Sequence, residues 1–157
     1  MMFAPAQDPL DQLMVVMAAA FDPIYGEAWT RSQVDHALLM GNCRYWLIAP
    51  DGTAPTPGGA AAGFALTRQV LDEAELLLFA IHPDHRRKGL GARLLQTVIH
   101  DQRESGIARF LLEMRAGNSA EHLYAAHGFT RIGIRPKYYR GTDGQRRDAV
   151  TFACDLT

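Results

Sequence analysis

The chain has 157 residues, of which 48% are hydrophobic and 21% are charged. This length and composition predict one globular domain over residues 1–157 and exclude the disordered, collagen-like and coiled-coil classes. Sixteen Lys and Arg against 17 Asp and Glu give a formal net charge of −1. We therefore expect no direct nucleic-acid partner and no membrane held by bulk charge, so that any anion is recognised locally.

Hydrophobic periodicity and turn residues predict four helices and six strands. The predicted helices are Pro9 to Phe21, a helix capped by Thr30 with Val34, Leu38 and Leu39 on one side, a helix from about Leu90 to Gly106, and Ser119 to His127. The predicted strands are 45–49, 61–70, 73–81, 107–115, 131–135 and 149–156. Early hairpins and a parallel strand-helix-strand unit over 73–115 predict a mixed α/β sheet with helices on both faces.

Cysteine content and the amino-terminal residues favour a cytoplasmic protein. Cys43 and Cys154 are too few for a disulfide scaffold and form no C-x-x-C pair, so we expect reduced thiols. The first residues show no basic region ahead of an apolar one, and the apolar stretch from Leu13 to Phe21 is too short to cross a bilayer. We expect neither a signal peptide nor a membrane span.

The most informative segment, residues 80–92 (A-I-H-P-D-H-R-R-K-G-L-G-A), joins an apolar strand to an amphipathic helix. Gly89 and Gly91 let the backbone approach a ligand closely. The first turn of the helix offers unpaired amides, and three basic residues at 86–88 add positive charge. The segment therefore suits a pyrophosphate, and a solvated basic turn is the alternative. Its spacing matches neither G-x-G-x-x-G nor a Walker loop.

The run Arg86-Arg87-Lys88-Gly89-Leu90-Gly91 resembles [RQ]-x-x-G-x-[GA], the hallmark of the GNAT superfamily of acetyl-CoA-dependent N-acetyltransferases. Other runs resemble its RimI-type members, which acetylate the N-terminal alanine of a ribosomal protein. They are V-L-D-E-A-E-L (70–76), L-E-M-R-A-G-N (112–118), L-Y-A-A-H-G-F (123–129) and Y-Y-R-G-T-D-G (138–144). The resemblance covers 64–155 and, earlier in the chain, only Ala28-Trp29-Thr30. It implies a mostly antiparallel sheet with a splayed central parallel pair of strands.

The resemblance also implies that acetyl-CoA is the co-substrate, and it assigns residues to its parts. The pantetheine arm pairs with the backbone of Phe79, Ala80 and Ile81, which by pattern alone are core strand. The pyrophosphate lies on the loop and the first helical turn, at Arg86, Arg87, Lys88, Gly89, Leu90, Gly91 and Ala92. The family's Asn near the cofactor corresponds to Asn118, which on residue pattern caps the last helix with Glu121 completing a capping box.

Acetyl transfer to an amine requires a proton acceptor for the amine and a proton donor for the thiolate. Glu113 interrupts an apolar strand, where a carboxylate is costly unless it is used or paired with Arg115 or Arg109. The helical spacing turns Tyr124 to the sheet, where a tyrosine packs in the core or uses its hydroxyl. The resemblance implies that Glu113 is the base, acting directly or through water, and that Tyr124 is the acid.

For the acceptor, the resemblance places Tyr138 and Tyr139 beside a peptide groove; a polar hairpin with one buried tyrosine is the alternative for Tyr139. We predict direct acetylation of a primary amine, namely a protein N-terminus such as the alanine of a ribosomal protein. A small-molecule amine acetyltransferase and a non-catalytic CoA-binding regulatory module are the alternatives. The single H-x-x-H of His82 and His85 lacks further ligands, so we expect no metal. The sequence leaves the oligomeric state open.

Overall fold

The computed structural model describes residues 8–157. The helices are α1 (Pro9–Ala20), α2 (Arg31–Leu39), α3 (Leu90–Glu104) and α4 (Glu121–Ala126). The strands are β1 (Cys43–Ile48), β2 (Gly63–Val70), β3 (Glu73–Ile81), β4 (Arg109–Arg115), β5 (Thr130–Arg140) and β6 (Arg146–Asp155). All ten predicted elements are present, although β5 runs further than predicted and α4 is shorter. The expectation of no signal peptide rests in part on residues 1–7, which lie outside the described residues.

Short-range hydrogen bonds fix the starts of the first two helices. Asp8 accepts a hydrogen bond from the backbone nitrogen of Leu10 at 2.7 Å, with Pro9 as the first helical residue. Thr30 and Gln33 form a reciprocal capping box at the start of α2. Asp8 therefore caps α1, and the capping role predicted for Thr30 is confirmed. Leu39, expected on the packed side of α2, is 85% exposed because it is the last residue of the helix.

The six strands form one sheet in the order β1-β2-β3-β4-β6-β5. Only β3 and β4 pair in parallel, and all other neighbours are antiparallel. The parallel pair follows from the crossover through α3, since a hairpin turn cannot connect parallel strands. The predicted mixed, mostly antiparallel sheet with one central parallel pair is confirmed.

Helices cover both faces of the sheet and enclose two hydrophobic cores. One core lies under α3 and α4 and contains Leu94, Val98 and Phe110, whereas the other lies under α1 and α2 and contains Leu13 and Phe64. Alternate residues of a strand point to opposite faces, which is why consecutive residues of β2 serve different cores. The predicted packing of helices on both faces of the sheet is confirmed.

Two further expectations concern the thiols and the membrane. Cys43 and Cys154 are both free, one partly buried and the other buried. Between residues 8 and 157, no helix combines the length and the apolar character needed to cross a bilayer.

Candidate active site

The two central strands separate halfway along their length. β3 and β4 pair only from Glu73 opposite Arg109 to Leu76 opposite Leu112. The next residue, Leu77, forms a β-bulge against β2, and a bulge bends its strand and increases the local twist. Beyond Leu77, the edge of β3 that faces β4 has no strand partner in the described part of the chain. The splayed parallel pair is therefore present, and the bulge accounts for it.

A cavity of about 430 Å³ lies where the strands separate. Five segments contribute its walls: the connection between α1 and α2, the diverging strands β3 and β4, helix α4 with the loop before it, and the far part of β5. The lining includes Glu27, Trp29, Leu77, Phe79, Glu113, Asn118, Tyr124, Tyr138 and Tyr139. The fold thus brings the two residues predicted to be catalytic and the two predicted to bind the acceptor to one cavity.

Glu113 is the first residue of β4 beyond the last pair with β3, which places it at the point of separation. Its side chain is 18% exposed. Its Oε2 lies 3.3 Å from Nε of Arg135 and 3.4 Å from Oγ1 of Thr151, which donates a hydrogen bond to it. Among the described residues Glu113 does not pair with Arg115 or Arg109, the salt bridge weighed as the alternative to a catalytic role. The ion pair is instead made across the sheet, from β5.

Tyr124 projects from α4 and is 6% exposed. Its ring meets those of Phe79 and Phe129 edge-on, with centroid separations of 6.1 and 5.7 Å. Burial, and then the charge of Glu27, raises the pKa of Tyr124 well above the ordinary value for tyrosine. The phenol therefore stays protonated at neutral pH. No residue among 8–157 hydrogen-bonds its hydroxyl, so its proton is available to a group in the cavity. The ring of Tyr124 thus packs in the core while the residue also lines the cavity.

Asn118 lines the cavity with Tyr124, but it does not form the predicted capping box. Its Oδ1 accepts a hydrogen bond from the backbone nitrogen of Ala120 at 3.0 Å, closing a turn two residues long. Ala120 is the residue that precedes the helix. Glu121 pairs with Arg131 at 3.2 Å instead of bonding back to Asn118. The N-cap position of α4 is occupied by Ala120, two residues after Asn118, so Asn118 cannot cap the helix.

The three basic residues before α3 have different surroundings. Arg86 donates from Nε to the carbonyl oxygen of Ile81 at 3.0 Å and from Nη2 to that of Ala20 at 2.9 Å. It ties the end of β3 to the end of α1, and it occupies the carbonyl of Ile81. Arg87 and Lys88 are exposed, with no ion pair to any described residue. These two are the charges left free for a bound anion.

Helix α3 begins without a side-chain cap, since its first flanking residue is Gly89 at φ +77°. The amides of Leu90, Gly91 and Ala92 in the first turn therefore have no side-chain partner. At the nearby 3-10 turn (Pro83–His85), Nδ1 of His82 accepts a hydrogen bond from the backbone nitrogen of Asp84 at 3.1 Å. His82 thus has a structural role. Across the described residues, no three His, Cys, Asp or Glu cluster as a metal site would require.

A second bulge, in β5, brings the two tyrosines to the cavity. Arg135 pairs with Ala149 and Tyr139 with Arg147, so more residues of β5 than of β6 lie between these pairs. Lys137 has φ +54° in the bulge, and its backbone nitrogen donates to Asp148 at 2.9 Å. The sequence predicted a strand only to Arg135 because Pro136 follows it.

The tyrosines at the bulge differ in environment. Tyr138 is 52% exposed, and its ring lies edge-on to Tyr139 at a centroid distance of 5.3 Å. Burial, followed by the charges of Glu113 and Glu27, raises the pKa of Tyr139 to about 12. Both tyrosines line the cavity, as a place beside the acceptor groove requires. Tyr138 is exposed and Tyr139 is partly buried, which also fits the alternative of a polar hairpin with one buried tyrosine.

The connection between α1 and α2 adds a carboxylate that the sequence analysis missed. Oε1 of Glu27 lies 3.8 Å from Nε of Arg115, and the guanidinium of Arg115 stacks on Tyr25 at 3.6 Å from the ring centroid. Burial raises the pKa of Glu27, although Arg115 partly offsets this. The only available signal was that Glu27 directly precedes the Ala28-Trp29-Thr30 run, since a connection has no periodic pattern.

These features fit acetyl-CoA. An open strand edge suits its amide-bearing arm, and an uncapped helix with two free cations suits its pyrophosphate. A buried, protonated phenol suits a departing thiolate. The fold and cavity define the class: an acyltransferase that takes its acyl group from coenzyme A.

Comparisons with known proteins agree. The model of the acetyltransferase (GNAT) family matches residues 14–129. The ribosomal protein bS18 alanine N-acetyltransferase of Escherichia coli K12 is 44% identical over 103 residues, covering 65% of this chain and 69% of that protein. Its Haemophilus influenzae counterpart is 43% identical over 94 residues, covering 60% and 64%. The crystal structure of the ribosomal protein S18 alanine N-acetyltransferase from Escherichia coli superposes with a TM-score of 0.77 at 31% identity, covering 97% and 92%.

The chain belongs to the GNAT family of acetyltransferases, and acetyl-CoA is its acetyl donor. The family predicted from the glycine-rich loop is thereby confirmed.

Proposed function

We propose that this N-acetyltransferase transfers the acetyl group directly to the N-terminal α-amino group of a protein, with the N-terminal alanine of a ribosomal protein as its acceptor. The relatives named as bS18-alanine N-acetyltransferases support this acceptor. The observation that carries the chemistry is that Glu113 and Tyr124 line the same cavity beside the splayed strands. A cytoplasmic location, without a nucleic-acid or membrane partner, is part of the proposal.

Glu113 removes the proton of the acceptor amine, directly or through a water molecule. An α-ammonium group has a pKa of ~8, so modest assistance is enough. Arg135, its ion-pair partner, is 63% exposed, and an exposed pair of this kind contributes only about 1 kcal/mol or less. The carboxylate can therefore exchange this partner for the amine.

Tyr124 gives its proton to the sulfur as the thiolate leaves. The nitrogen loses two protons on going from ammonium to amide: Glu113 takes the first and passes it to solvent, and the second is lost as the C–N bond forms and the C–S bond breaks. This second proton is matched by the proton that Tyr124 gives to the sulfur, so one proton is released overall. Glu113 and Tyr124 return to their starting states by exchange with solvent. The acetyl thioester supplies the acyl group. The chain's contribution is to place the amine, the base and the phenol around one point.

We assign the donor side as follows. Phe79 and Ile81 present their backbone groups at the open strand edge, and Ala80, which pairs with Phe64 of β2, lies between them. Ile81 offers only its amide because its carbonyl is bonded to Arg86. Arg87 and Lys88 bind the pyrophosphate together with the amides after Gly89, from Leu90, Gly91 and Ala92. Arg86 holds the loop in place, and Asn118 borders the donor from the side of α4. Tyr138 and Tyr139 flank the acceptor.

The charge of the cavity argues against a small polycation as acceptor. Glu27 and Glu113 both line it, but each carboxylate lies beside an arginine, Arg115 and Arg135 respectively. The two arginines are not lining residues themselves, but they offset part of the negative charge on which a site for a polyamine or an aminoglycoside would depend. A single ammonium at the end of a peptide requires no such excess of negative charge.

The proposal is tested by release of the CoA thiol from acetyl-CoA with a set of acceptors. The set contains peptides beginning with Ala, Ser or Met, an N-terminally blocked peptide with an internal lysine, and several small amines. We expect release with the Ala-first peptide and none with the blocked peptide. Release with small amines alone would overturn the acceptor. Binding of acetyl-CoA without release in any case would favour a non-catalytic module.

A further inference from the structure

Glu27 is the second carboxylate of the cavity, and the chemistry described so far does not use it. We propose that Glu27 binds the ammonium group of the acceptor, which orients the amine before Glu113 removes its proton. The inference rests on the proposed function for the kind of acceptor, and it deepens that function by naming the residue that recognises the charged chain end.

The backbone around Glu27 is held rigidly. Asp22 accepts a hydrogen bond from the nitrogen of Ile24 at 3.0 Å, and Gly26, at φ +62°, ends the 3-10 turn (Pro23–Tyr25) by bonding to Pro23. The carbonyl of Ile24 accepts a further bond from Thr142 at 2.7 Å. The side chain of Glu27 therefore projects into the cavity from a fixed position.

The carboxylate of Glu27 is mostly buried but has no hydrogen-bond donor. Its side chain is 23% exposed, and no residue among 8–157 donates a hydrogen bond to it. Arg115, at 3.8 Å, is close enough for an ion pair and too far for a hydrogen bond. A carboxylate in such surroundings is costly unless a donor satisfies its lone pairs. An ammonium group supplies three donors and the opposite charge.

Arg115 is held in place by other contacts and does not move freely to complete this pair. Its guanidinium lies over the ring of Tyr25, 3.6 Å from the centroid, and its side chain is 15% exposed. Its buried Nε has no hydrogen-bond partner in the described chain. Arg115 therefore favours the ionised form of Glu27, partly offsetting the effect of burial on its pKa, and leaves its oxygens open to a ligand.

The field of Glu27 reaches the groups at which the reaction occurs. Its charge raises the pKa of Tyr124 and contributes to the raised pKa of Tyr139. An ammonium beside Glu27 offsets this charge and makes Tyr124 a better acid once the acceptor is bound. Binding of the amine and protonation of the thiolate are coupled in this way.

The proposal assigns binding of the ammonium group to Glu27 and removal of its proton to Glu113. Steady-state kinetics distinguishes these two roles. Loss of a binding carboxylate raises the acceptor KM, whereas loss of the base lowers kcat. For Glu27→Gln we expect a rise in acceptor KM of about tenfold to a hundredfold, since a hydrogen bond to a charged group contributes ~1.5–3 kcal/mol. The KM for acetyl-CoA and the kcat at saturating acceptor stay near those of the wild type.

A binding experiment tests the same point without turnover. The protein loaded with CoA is titrated calorimetrically with an Ala-first peptide and with the same peptide N-acetylated. We expect the wild type to favour the free amine and Glu27→Gln to lose at least tenfold of that preference. Glu121→Gln is the matched control because Glu121 pairs with Arg131 outside the cavity; it should keep the full preference.

Glu27→Gln overturns the inference if it keeps the preference for the free amine, or if it lowers kcat and leaves the acceptor KM unchanged. Should the single variant fail to fold because Arg115 is left unpaired, the double variant Glu27→Gln, Arg115→Gln removes both charges and is judged by the same criteria. A wild type that acetylates no peptide N-terminus refutes the proposed function. An active wild type with an unaltered Glu27→Gln refutes this inference alone.

Discussion

Thr142 donates two hydrogen bonds to the carbonyl oxygen of Ile24, from its backbone nitrogen at 2.7 Å and from Oγ1 at 3.2 Å. Ile24 belongs to the connection between α1 and α2, and Thr142 to the turn between β5 and β6. The connection supplies Glu27 to the cavity, and the strand that leads into the turn, β5, supplies Tyr139. The bonds therefore fix two walls of the acceptor site to each other, although they lie far apart in the sequence.

Gly141 makes this contact possible, so Gly141→Ala tests it. A Cβ at this position would lie 2.8 Å from the carbonyl oxygen of Ile24 and 2.6 Å from side-chain atoms of Asp143 and Arg147. We expect a loss of about 1–3 kcal/mol in the free energy of unfolding. The acceptor KM should rise while the KM for acetyl-CoA stays constant, as chemical denaturation and steady-state kinetics would show.

Gly133→Ala is the control, because a Cβ at Gly133, on β5, would meet no atom of residues 8–157 within 4 Å. We expect it to change stability by no more than about 0.5 kcal/mol. If the two substitutions changed the acceptor KM equally, the hydrogen bonds between Thr142 and Ile24 would not be what shapes the acceptor site.

Glu113→Gln should lower kcat by about 10²–10⁴-fold. Below pH ~8 most of the amine carries a proton, so the defect is largest there and narrows as the pH rises and the amine deprotonates unaided. The measurement is kcat against pH for wild type and variant. A uniform defect at every pH would remove Glu113 as the base. Arg135→Gln, which takes away only the exposed partner, should keep most of the activity and change stability by about 1 kcal/mol or less.

Tyr124→Phe should slow turnover and leave acetyl-CoA affinity close to that of the wild type, as isothermal titration would show. The phenol is buried and its pKa is raised, so its loss removes a proton donor without removing an ionised group. A wild-type rate in Tyr124→Phe would exclude Tyr124 as the acid.

Alkaline titration of the phenols checks the environment of Tyr139. Its pKa is raised to about 12, against about 10 for an unfolded tyrosine. The near-ultraviolet absorbance step near pH ~10 should therefore be the same in the wild type and in Tyr139→Phe. Because the folded state holds this proton more tightly than the unfolded state does, stability is lost as the pH rises above about 10. A smaller step in the variant would contradict this environment.

The three basic residues before α3 should differ in role: Arg87 and Lys88 bind the cofactor, whereas Arg86 stabilises the fold. Arg87→Gln and Lys88→Gln are each expected to raise the KM for acetyl-CoA roughly two- to fivefold, because an exposed charge contributes modestly. Added salt should reduce the effect through screening. Arg86→Gln removes two bonds to backbone carbonyls and should lower stability by about 1 kcal/mol. Equal salt-dependent effects of all three substitutions on KM would contradict this division.

The sequence was most informative where local chemistry dominates. The glycine-rich loop and α3 could be placed because two glycines, three cations and a clear helical period occur together. Thr30 could be identified as a cap because its partner Gln33 is only three residues away. Both features depend on neighbours along the chain, which a single sequence displays.

Features that depend on distant neighbours could not be predicted. The bulge at Leu77 lies inside a continuous apolar run, so no change in alternation marks it. The pairing of Glu113 with Arg135 requires the order of β4, β6 and β5 in the sheet. Glu27 lies on a connection that the β5–β6 turn holds through the bonds between Thr142 and Ile24, and no local pattern in the sequence encodes that contact.

The most direct test of the central claim is to locate the acetyl group. One peptide carrying an N-terminal alanine and an internal lysine would be incubated with the wild type and acetyl-CoA, and the product fragmented by tandem mass spectrometry. We expect acetylation of the α-amino group of the alanine, lost in Glu113→Gln at neutral pH and retained in Glu121→Gln. Acetylation of the lysine, or of neither amine while small amines are consumed, would contradict this expectation.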